Sequence, residues 1–522
     1  MQTEVADPAA ATAARRAALA TVLAVLFLTF LDTTIVSVTL GNLETDVSAG
    51  VIPLQWVINA YALVFASLML IGGSLADRLG RKWVMLAGIA IFCAGSVMCA
   101  VAPGVSMVIG GRAVMGIGAA ASEPGTLSVI RQLYPDRRER ARALGIWSAV
   151  SGLALALGPV IGGLLVGVGD WRSVFWFNLA LGGLVGIAVW LYVPDSRDPR
   201  PGAPDLRGFV LGTGGIFCLV FASISGEYQG YGTWWIVLLF VIGGGCVLAF
   251  VPAERRARAP MLDPSYIKSP IVRVALFAAF AVYFGVFAIF FLTALYLDIG
   301  LQYSGWQLAG MFAPMAAAIV IGGLAAGPWV ARLGSRQPMV TGCALAAGGI
   351  ALARIEITRL PLPEHGIDQT TTTQFLILSA ALALAGLGFG ITVVPLTSAV
   401  LSHIPAEHSG IAASATNTAR QLGAVVGVAA LGAIVNARLT DEVNKTFTGP
   451  LLGGARDSIL KILETGGSAG SFTLNNIPAN FLNAFRDGLA VSLLAALSLV
   501  GLAGLIALFV REPPAHEDSD VS

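Results

Sequence analysis

Three charged residues stand inside apolar stretches that are long enough to cross a bilayer. Asp32 lies within TVLAVLFLTFLDTTIVSVTL, and Arg112 and Glu123 lie within a second stretch over 105–131. A charge at the centre of a spanning helix costs about 2.5–3.5 kcal/mol on insertion scales, so such residues are kept for a partner or a function. A carboxyl group that exchanges a proton at this depth would couple the protein to a proton gradient.

Asp32 and Arg112 are expected at one depth, in the outer half of the membrane. Asp32 lies about 22 Å along a helix that runs outward from residue 17, and Arg112 lies near the outer end of a helix that runs inward. An acid and an arginine so placed would pair, and neither would tolerate the loss of its partner. The pair could equally serve only to fix helix packing.

Glu123 follows Arg112 by about three helical turns and so lies on the same face. The two are about 16 Å apart along the helix axis, too far to bond. Glu123 therefore has no obvious partner, and burial would favour its protonated form, as a proton carrier requires. We predict that Glu123 and Asp32 share the proton coupling while Arg112 modulates Asp32. The alternative is an interfacial acid that reaches toward Arg131.

The composition indicates an integral membrane protein. Of its 522 residues, 56% are apolar and 12% charged, whereas about a quarter of a soluble protein is charged. About twenty apolar residues cross the hydrocarbon core. Fourteen runs of this kind are predicted, with approximate limits 17–40, 53–75, 83–102, 105–131, 141–168, 172–193, 207–226, 233–252, 270–297, 306–331, 338–358, 373–402, 409–437 and 484–510.

The sequence carries no pattern typical of catalysis or metal binding. The five cysteines all lie in apolar runs, where free thiols behave as small hydrophobic groups. No nucleophile–base pair or metal-ligand spacing occurs at membrane depth, and no nucleotide-binding loop is present. We therefore expect a protein that is not an enzyme, has no catalytic or metal site, and uses the proton gradient with no cofactor and no nucleic-acid partner.

An internal repeat divides the chain. GSLADRLGRKWVM (73–85) aligns without a gap with GPWVARLGSRQPM (327–339), with Gly, Arg, Leu and Gly in register and Asp77 replaced by Ala331. Gly145 and Gly158 have the same spacing as two glycines of the thirteenth run, at 410 and 423. Two six-helix halves with two helices inserted between them explain both matches, and such repeats are a transporter architecture.

The distribution of Lys and Arg places both chain ends in the cytoplasm. The tails and even-numbered loops collect 21 of these residues, against three in the short odd-numbered loops and five in the long segment 438–486, where the bias weakens. The predicted organisation is a cytoplasmic tail (1–16), an N-terminal six-helix bundle (17–195), a linker with two spanning helices (196–265), a C-terminal six-helix bundle (266–511) with an extracytoplasmic loop (438–483), and a cytoplasmic tail (512–522).

These motifs resemble the major facilitator superfamily, and within it the fourteen-helix drug:proton antiporter (multidrug efflux) family. GSLADRLGRK matches the superfamily signature of the loop between the second and third spans at every fixed position. LDTTIVSVTL resembles the first-span motif and departs from it at Ser37, Thr39 and Gly41. RAVMGIGAAA resembles the fourth-span motif built on Arg112, with Met115 where glutamine is usual. The signature positions are Gly73, Asp77, Arg78, Gly80, Arg81 and Lys82.

ALALGPVIGG resembles the fifth-span motif of exporters. Its fixed positions here are Gly158, Pro159, Gly162 and Gly163. Glycines would let another helix approach closely, and the proline would permit a bend. For the signature loop, Asp77 could bond the N-terminus of a neighbouring helix or an arginine and so latch the cytoplasmic side in one state. The resemblance implies that gating role.

The C-terminal half supplies polar residues for a possible substrate cavity. Asn417, Arg420 and Gln421 lie well inside the thirteenth run, and Tyr283 lies in the aromatic ninth run. Arg420, a charged residue at that depth, must face a cavity or the other half. It could contact the substrate or pack between helices, and the sequence favours neither role.

The resemblance implies an all-α integral membrane protein with the major facilitator fold. It implies a proton-coupled exporter of amphipathic, drug-like molecules that works by alternating access as a monomer in the inner membrane of a bacterium. Its partners would be the small-molecule substrate, protons and the lipid bilayer. The alternative is a dedicated exporter of an endogenous metabolite, siderophore or lipid, and a proton-symport uptake carrier ranks below both.

Overall fold

The computed structural model describes residues 8–47, 51–197, 205–257, 266, 268–297, 301, 303, 305–360, 371–405, 408–446 and 479–510. The helices in these ranges are α1 (Pro8–Ile35), α2 (Leu40–Val47), α3 (Val51–Leu79), α4 (Arg81–Ala100), α5 (Val105–Leu133), α6 (Arg137–Val168), α7 (Arg172–Tyr192), α8 (Leu206–Gln229), α9 (Trp234–Arg256), α10 (Pro270–Leu295), α11 (Gly305–Leu333), α12 (Arg336–Arg359), α13 (Thr372–His403), α14 (Ser409–Thr446) and α15 (Ala479–Phe509). The described residues contain no β-strand.

The number of predicted spans is confirmed. Thirteen helices of the described chain are long and apolar enough to cross a membrane, and there are fourteen when the bent α6 is taken as one span. Helix bounds differ from the prediction at several ends. α1 begins at Pro8 rather than at residue 17, and a 3₁₀ turn over Val36–Thr39 follows it.

The segment predicted as a loop over 438–483 is shorter than expected. α14 continues to Thr446, and α15 begins at Ala479. Arg438 and Lys445 therefore lie in α14, which extends beyond the apolar run into polar sequence. The rest of the predicted loop, 447–478, lies outside the described residues, as do residues 1–7 of the N-terminal tail and the whole C-terminal tail, 512–522.

The helices pack as two groups that correspond to the predicted halves. In the first, α5 packs against α3 and α4, α1 against α6, and α4 against α7. In the second, α13 packs against α11 and α12, α10 against α14, and α12 against α15. The halves meet mainly where α6 crosses α11 and where α14 crosses α3.

Glycines from the repeated motifs form both crossings. A methyl group on Gly145 of α6 would lie 2.9 Å from the carbonyl oxygen of Gly323 and 3.4 Å from the Cα of Gly327, both on α11. A methyl group on Gly410 of α14 would lie 2.5 Å from the carbonyl oxygen of Gly73 on α3. Gly73 and Gly327 open the two copies of the repeat, so each copy contacts the matching glycine of the opposite half.

The two inserted helices lie outside this pair of crossings. α8 packs against α3 of one half and α14 of the other, through a small apolar cluster of its own that includes Leu63, Val220 and Leu422. α9 packs against α8, and only 11% of its apolar span is buried in the protein. The two linker helices therefore lie on the side of the interface where α3 meets α14.

The bend predicted in the fifth span is present. α6 changes direction by 40° between Leu155 and Val160, the interval that contains Gly158 and Pro159. Gly158 lies against α1, where an added methyl group would lie 2.9 Å from the backbone nitrogen of Ile35. Gly162 is buried, whereas Gly163 is exposed and has open space where a side chain would lie. Close approach thus explains Gly158 and does not explain Gly163.

This contrast gives a test of packing within one motif. Replacing Gly158 by Ala puts a methyl group against the α1 backbone, so we expect the thermal midpoint of the purified protein to fall by several degrees. Gly163→Ala is the matched control. It adds a side chain in open space and removes a helix-destabilising glycine, a gain of up to about 1 kcal/mol, so its midpoint should stay or rise. Equal midpoints for the two variants would contradict the packing argument.

Candidate functional site

The predicted ion pair between Asp32 and Arg112 is present. The Arg112 Nη1 donates to Asp32 Oδ2 at 2.6 Å, and both side chains are buried. The Arg112 Nε donates to the carbonyl oxygen of Val57 at 3.0 Å. The same guanidinium lies over the ring of Tyr61, 4.4 Å from its centroid. α1, α3 and α5 are thereby tied together at this point.

Asn178 completes the environment of Asp32, and the sequence analysis did not identify it. Its Nδ2 donates to Asp32 Oδ1 at 2.7 Å from α7, so both carboxylate oxygens have a donor. The available signal was a lone amide in the otherwise apolar run RSVFWFNLALGG. Asp32 thus has a hydrogen-bond donor for each carboxylate oxygen and a charged partner, all within the N-terminal half.

Glu123 has a partner, contrary to the expectation from sequence. The Asn417 Nδ2 donates to Glu123 Oε2 at 2.6 Å, and Asn417 belongs to α14 of the other half. The expectation failed because helical periodicity relates residues of one helix and says nothing about a residue 294 positions away. Glu123 does not extend to the surface near Arg131, since it is only 1% exposed.

Arg420 extends this contact into the C-terminal half. Its Nη1 donates to Asn417 Oδ1 at 2.9 Å, and its Nη2 bonds the Thr397 hydroxyl of α13. The Asn417 amide therefore lies between Glu123 and Arg420, with its NH₂ group toward the acid and its oxygen toward the cation. In the reverse orientation the amide oxygen would face the Glu123 carboxylate and the NH₂ group would face the Arg420 guanidinium. The hydrogen-bond partners therefore determine the orientation of the amide.

Two aromatic rings flank the Arg420 guanidinium. Trp147 of α6 has its ring centroid 5.2 Å away, and Tyr283 of α10 has its centroid 5.7 Å away. The Trp147 Nε1 donates to the Thr126 hydroxyl at 3.2 Å, which fixes the indole against α5. Gln421, the residue after Arg420 in α14, is half-buried. Of the four residues predicted for a cavity, three therefore converge on one point between the halves.

Two polar atoms of this cluster have no hydrogen-bond partner among the described residues. They are Glu123 Oε1 and Arg420 Nε, on side chains that are 1% and 2% exposed. A buried polar atom left unbonded costs about 1–3 kcal/mol. The cluster thus retains one acceptor and one donor that a further molecule or a proton would satisfy.

The Asp77 latch predicted from the signature motif also has its expected contacts. Asp77 Oδ1 accepts from the Gly410 amide at 3.0 Å and Oδ2 from the Ile411 amide at 3.1 Å. The Arg81 Nη2 donates to Oδ1 at 3.0 Å. Gly410 and Ile411 lie in the first turn of α14, whose amides have no partner within the helix. The acid of one half therefore caps a helix of the other.

The other residues of the signature hold the turn between α3 and α4. Gly80 has φ of 106°, a conformation that other residues rarely adopt. The Lys82 ammonium lies 5.6 Å from the centroid of Trp190 on α7. Arg78 is half-buried at the end of α3. Their part in gating stays a prediction.

The second copy of the repeat has no equivalent cap, for a structural reason. α6 begins at Arg137, well before Gly145, so the amides that match those of Gly410 and Ile411 lie inside the helix and are already bonded. α6 is capped by Asp136, which accepts from the Glu139 amide at 2.8 Å and the Arg138 amide at 2.9 Å. These amides, that of Glu139 most strongly, lower the pKa of Asp136. An acid at Ala331 would have no free amide to accept from.

Comparison with known proteins agrees with this architecture. A model of the Major Facilitator Superfamily matches residues 22–428. Multidrug resistance protein Stp of Mycobacterium tuberculosis (strain CDC 1551 / Oshkosh) is 32% identical over 80% of this chain and 75% of its own length. The Methylenomycin A resistance protein of Bacillus subtilis (strain 168) is 32% identical over 81% of this chain and 88% of its own length.

A solved structure shares the fold at low sequence identity. The human organic anion transporter MFSD10 (TETRAN) superposes with a TM-score of 0.60 at 14% identity, covering 93% of this chain and 99% of that one. At this identity, the likeness concerns the fold alone.

A double-mutant cycle tests the buried ion pair. Asp32→Asn or Arg112→Gln alone leaves an unmatched buried group, so each should lower the free energy of unfolding by about 3–5 kcal/mol. The double variant should recover a large part of that loss. The exposed pair of Arg15 and Glu139 is the control, with an expected effect below about 1 kcal/mol. Strictly additive losses at Asp32 and Arg112 would show that the two do not interact.

The latch is tested by Asp77→Asn, which keeps one acceptor for the α14 amides but removes the charge and the second acceptor. We expect the α3–α14 crossing to open more often. A cysteine introduced at the buried Ser414, which faces Gly73 across this crossing, should then react with a maleimide several-fold faster. Asp441→Asn, at an exposed position near the end of α14, should leave the rate unchanged. If Asp77→Asn alters neither labelling nor transport, Asp77 does not act as a latch.

Proposed function

Since the chain belongs to the Major Facilitator Superfamily, we propose that it exports amphipathic, drug-like molecules in exchange for protons by alternating access. It is a multi-pass transporter of the bacterial inner membrane rather than an enzyme. Both relatives described above are named as resistance proteins, for multiple drugs in one case and for methylenomycin A in the other. A single copy suffices, because both sides of the central cluster come from one chain.

One contact carries the proton-coupling part of the proposal: Asn417 of one half donates to Glu123 of the other at 2.6 Å. An ionised Glu123 accepts this bond and faces the Arg420 charge. When a proton neutralises Glu123, the attraction across the interface weakens, and the halves can separate. A proton therefore changes the relative free energies of two arrangements of the halves, which is the condition for it to drive transport.

The surroundings of the two acids favour different roles. Asp32 has two donors and a bonded guanidinium, so removing its charge would leave Arg112 unmatched. Glu123 has one donor and one unbonded oxygen. We propose Glu123 as the main proton carrier and the Asp32–Arg112 pair as the element that keeps α1 and α5 in register with it. Protons would enter from outside and leave to the cytoplasm, with substrate moving the opposite way.

The experiment that tests this is dye efflux from an efflux-deficient bacterium that expresses the protein. The dyes tested are cationic ethidium, a neutral dye and an anionic dye. Wild type should lower the accumulation of at least one of the three, and an uncoupler should abolish that effect. Glu123→Gln cannot exchange a proton, so its efflux rate should fall at least tenfold at equal abundance in the membrane.

Glu356→Gln is the matched control, because Glu356 is also a buried acid but lies near the end of α12, away from the cluster. Its efflux should match wild type. Uncoupler-sensitive efflux that survives in Glu123→Gln would remove Glu123 from the mechanism. The absence of efflux for every dye, with folded wild-type protein, would overturn drug export itself.

A further inference from the structure

The Asn417 side chain occupies the central cluster in a way that indicates what the cluster binds. Its amide gives a hydrogen bond to Glu123 at 2.6 Å and accepts one from Arg420 at 2.9 Å. The amide is an uncharged group with a donor and an acceptor on adjacent atoms. Asn417 and Arg420 both lie on α14, whereas Glu123 lies on α5 of the other half. Separation of the halves therefore removes the Asn417 donor from Glu123 and frees an acceptor that matches such a group.

The cluster offers a second donor and acceptor pair beyond those that Asn417 uses. Glu123 Oε1 can accept and Arg420 Nε can donate, and neither has a partner among the described residues. Trp147 and Tyr283 present their rings on either side of the same guanidinium. A ligand that satisfies all of these features has an aromatic surface and an uncharged polar group that both donates and accepts.

The charges of the cluster disfavour other ligands. With Glu123 ionised, Arg420 balances it, and the Asp32–Arg112 pair is also neutral. A permanent cation would leave this neutral cluster with one net positive charge, and an anion would leave it with one net negative charge. A buried charge without a partner is costly in a medium of low dielectric constant. A neutral site therefore prefers a neutral or zwitterionic group.

We propose that the subsite formed by Glu123, Arg420, Trp147 and Tyr283 binds aromatic molecules through an uncharged donor–acceptor group, such as an amide or a hydroxy-carbonyl group. The donor of this group would replace the Asn417 donor at Glu123, and its acceptor would meet the Arg420 Nε. The inference rests on the proposed function and narrows its substrates to this class. Lipophilic cations and carboxylates are poor ligands of this subsite.

The sign of the linkage to protons agrees with exchange rather than cotransport. The donor of such a ligand bonds the ionised carboxylate, so binding favours release of the proton from Glu123, and a proton arriving at Glu123 weakens binding. An anionic ligand would have the opposite effect and would favour uptake together with a proton. Among the described residues, the other charged or titratable groups that act on Glu123 are Arg420, Tyr283 and Tyr61.

The test compares three ligands of one shape with purified protein in lipid nanodiscs: 2-naphthamide, 2-naphthoate and a trimethylammonium naphthalene. We expect the amide to bind at least tenfold more tightly than either charged analogue by calorimetry. Its binding should release protons in a weakly buffered solution and should weaken as pH falls. A tighter cation or carboxylate, or proton uptake with the amide, overturns the inference, as does the absence of amide binding.

Two variants sharpen the comparison. Arg420→Gln leaves the ionised cluster with a net negative charge, so the ratio of cation affinity to amide affinity should rise at least tenfold. Arg354→Gln is the control, since Arg354 bonds the Ala490 carbonyl oxygen on the outer side of the C-terminal half, away from the cluster. It should leave the ratio unchanged. If Arg420→Gln does not fold, Arg420→Lys keeps the charge and should keep the preference for the amide. An unchanged ratio in folded Arg420→Gln overturns the charge argument.

The same protein in proteoliposomes separates this inference from the proposed function. Proton-driven movement of a fluorescent dye together with a preference for the cation would overturn the substrate class and leave the exporter intact. Amide preference without any proton-driven transport would overturn the exporter, and with it the role of the subsite in export.

Discussion

A charge between helices in a bilayer has no water to solvate it, so it must be matched by protein groups. Three clusters of buried charged side chains among the described residues meet this requirement. Asp32 is matched with Arg112, and Asp77 with Arg81, in each case within the N-terminal half. Glu123 is matched with Asn417 and Arg420 across the two halves. Relative motion of the halves leaves the first two ion pairs intact and necessarily breaks the third match.

This difference connects charge matching to packing. The halves contact each other closely because both crossings are lined by glycine, with backbone almost against backbone. Such closely packed surfaces lose many van der Waals contacts together when they separate. Asp77 adds charge-assisted hydrogen bonds at the α3–α14 crossing, and Glu123 adds one between α5 and α14. The bend in α6 at Gly158 and Pro159 lets this helix pack against both α1 and α11.

The sequence was sufficient for the number of spans, the two halves, the Asp32–Arg112 pair and the acid that caps a neighbouring helix. Each of these follows from local composition, a repeat or a depth along a helix. It was not sufficient for Asn178 beside Asp32 or Asn417 beside Glu123. In a soluble helix the apolar face identifies the inside, but lipid is as apolar as the protein interior, so periodicity does not show which face of a spanning helix points inward. Partners on distant helices then depend on rotations that no single stretch of sequence encodes. The open position at Gly163 shows the same limit, because a motif glycine need not lie at a contact.

The asymmetry between the two crossings bears on how the halves move. Both copies of the repeat provide the glycine, yet only the first provides the acid, and only α14 begins close enough to its crossing to offer free amides. The α3–α14 crossing therefore has two charge-assisted hydrogen bonds that the α6–α11 crossing lacks. Hydrogen bonds to a charged group contribute about 1.5–3 kcal/mol each when both groups are buried. The two crossings are thus similar in shape and unequal in strength. Asp77 bonds the other half at this crossing and Glu123 bonds it at the centre, and α14 links the two sites because it carries both the capped amides and Asn417.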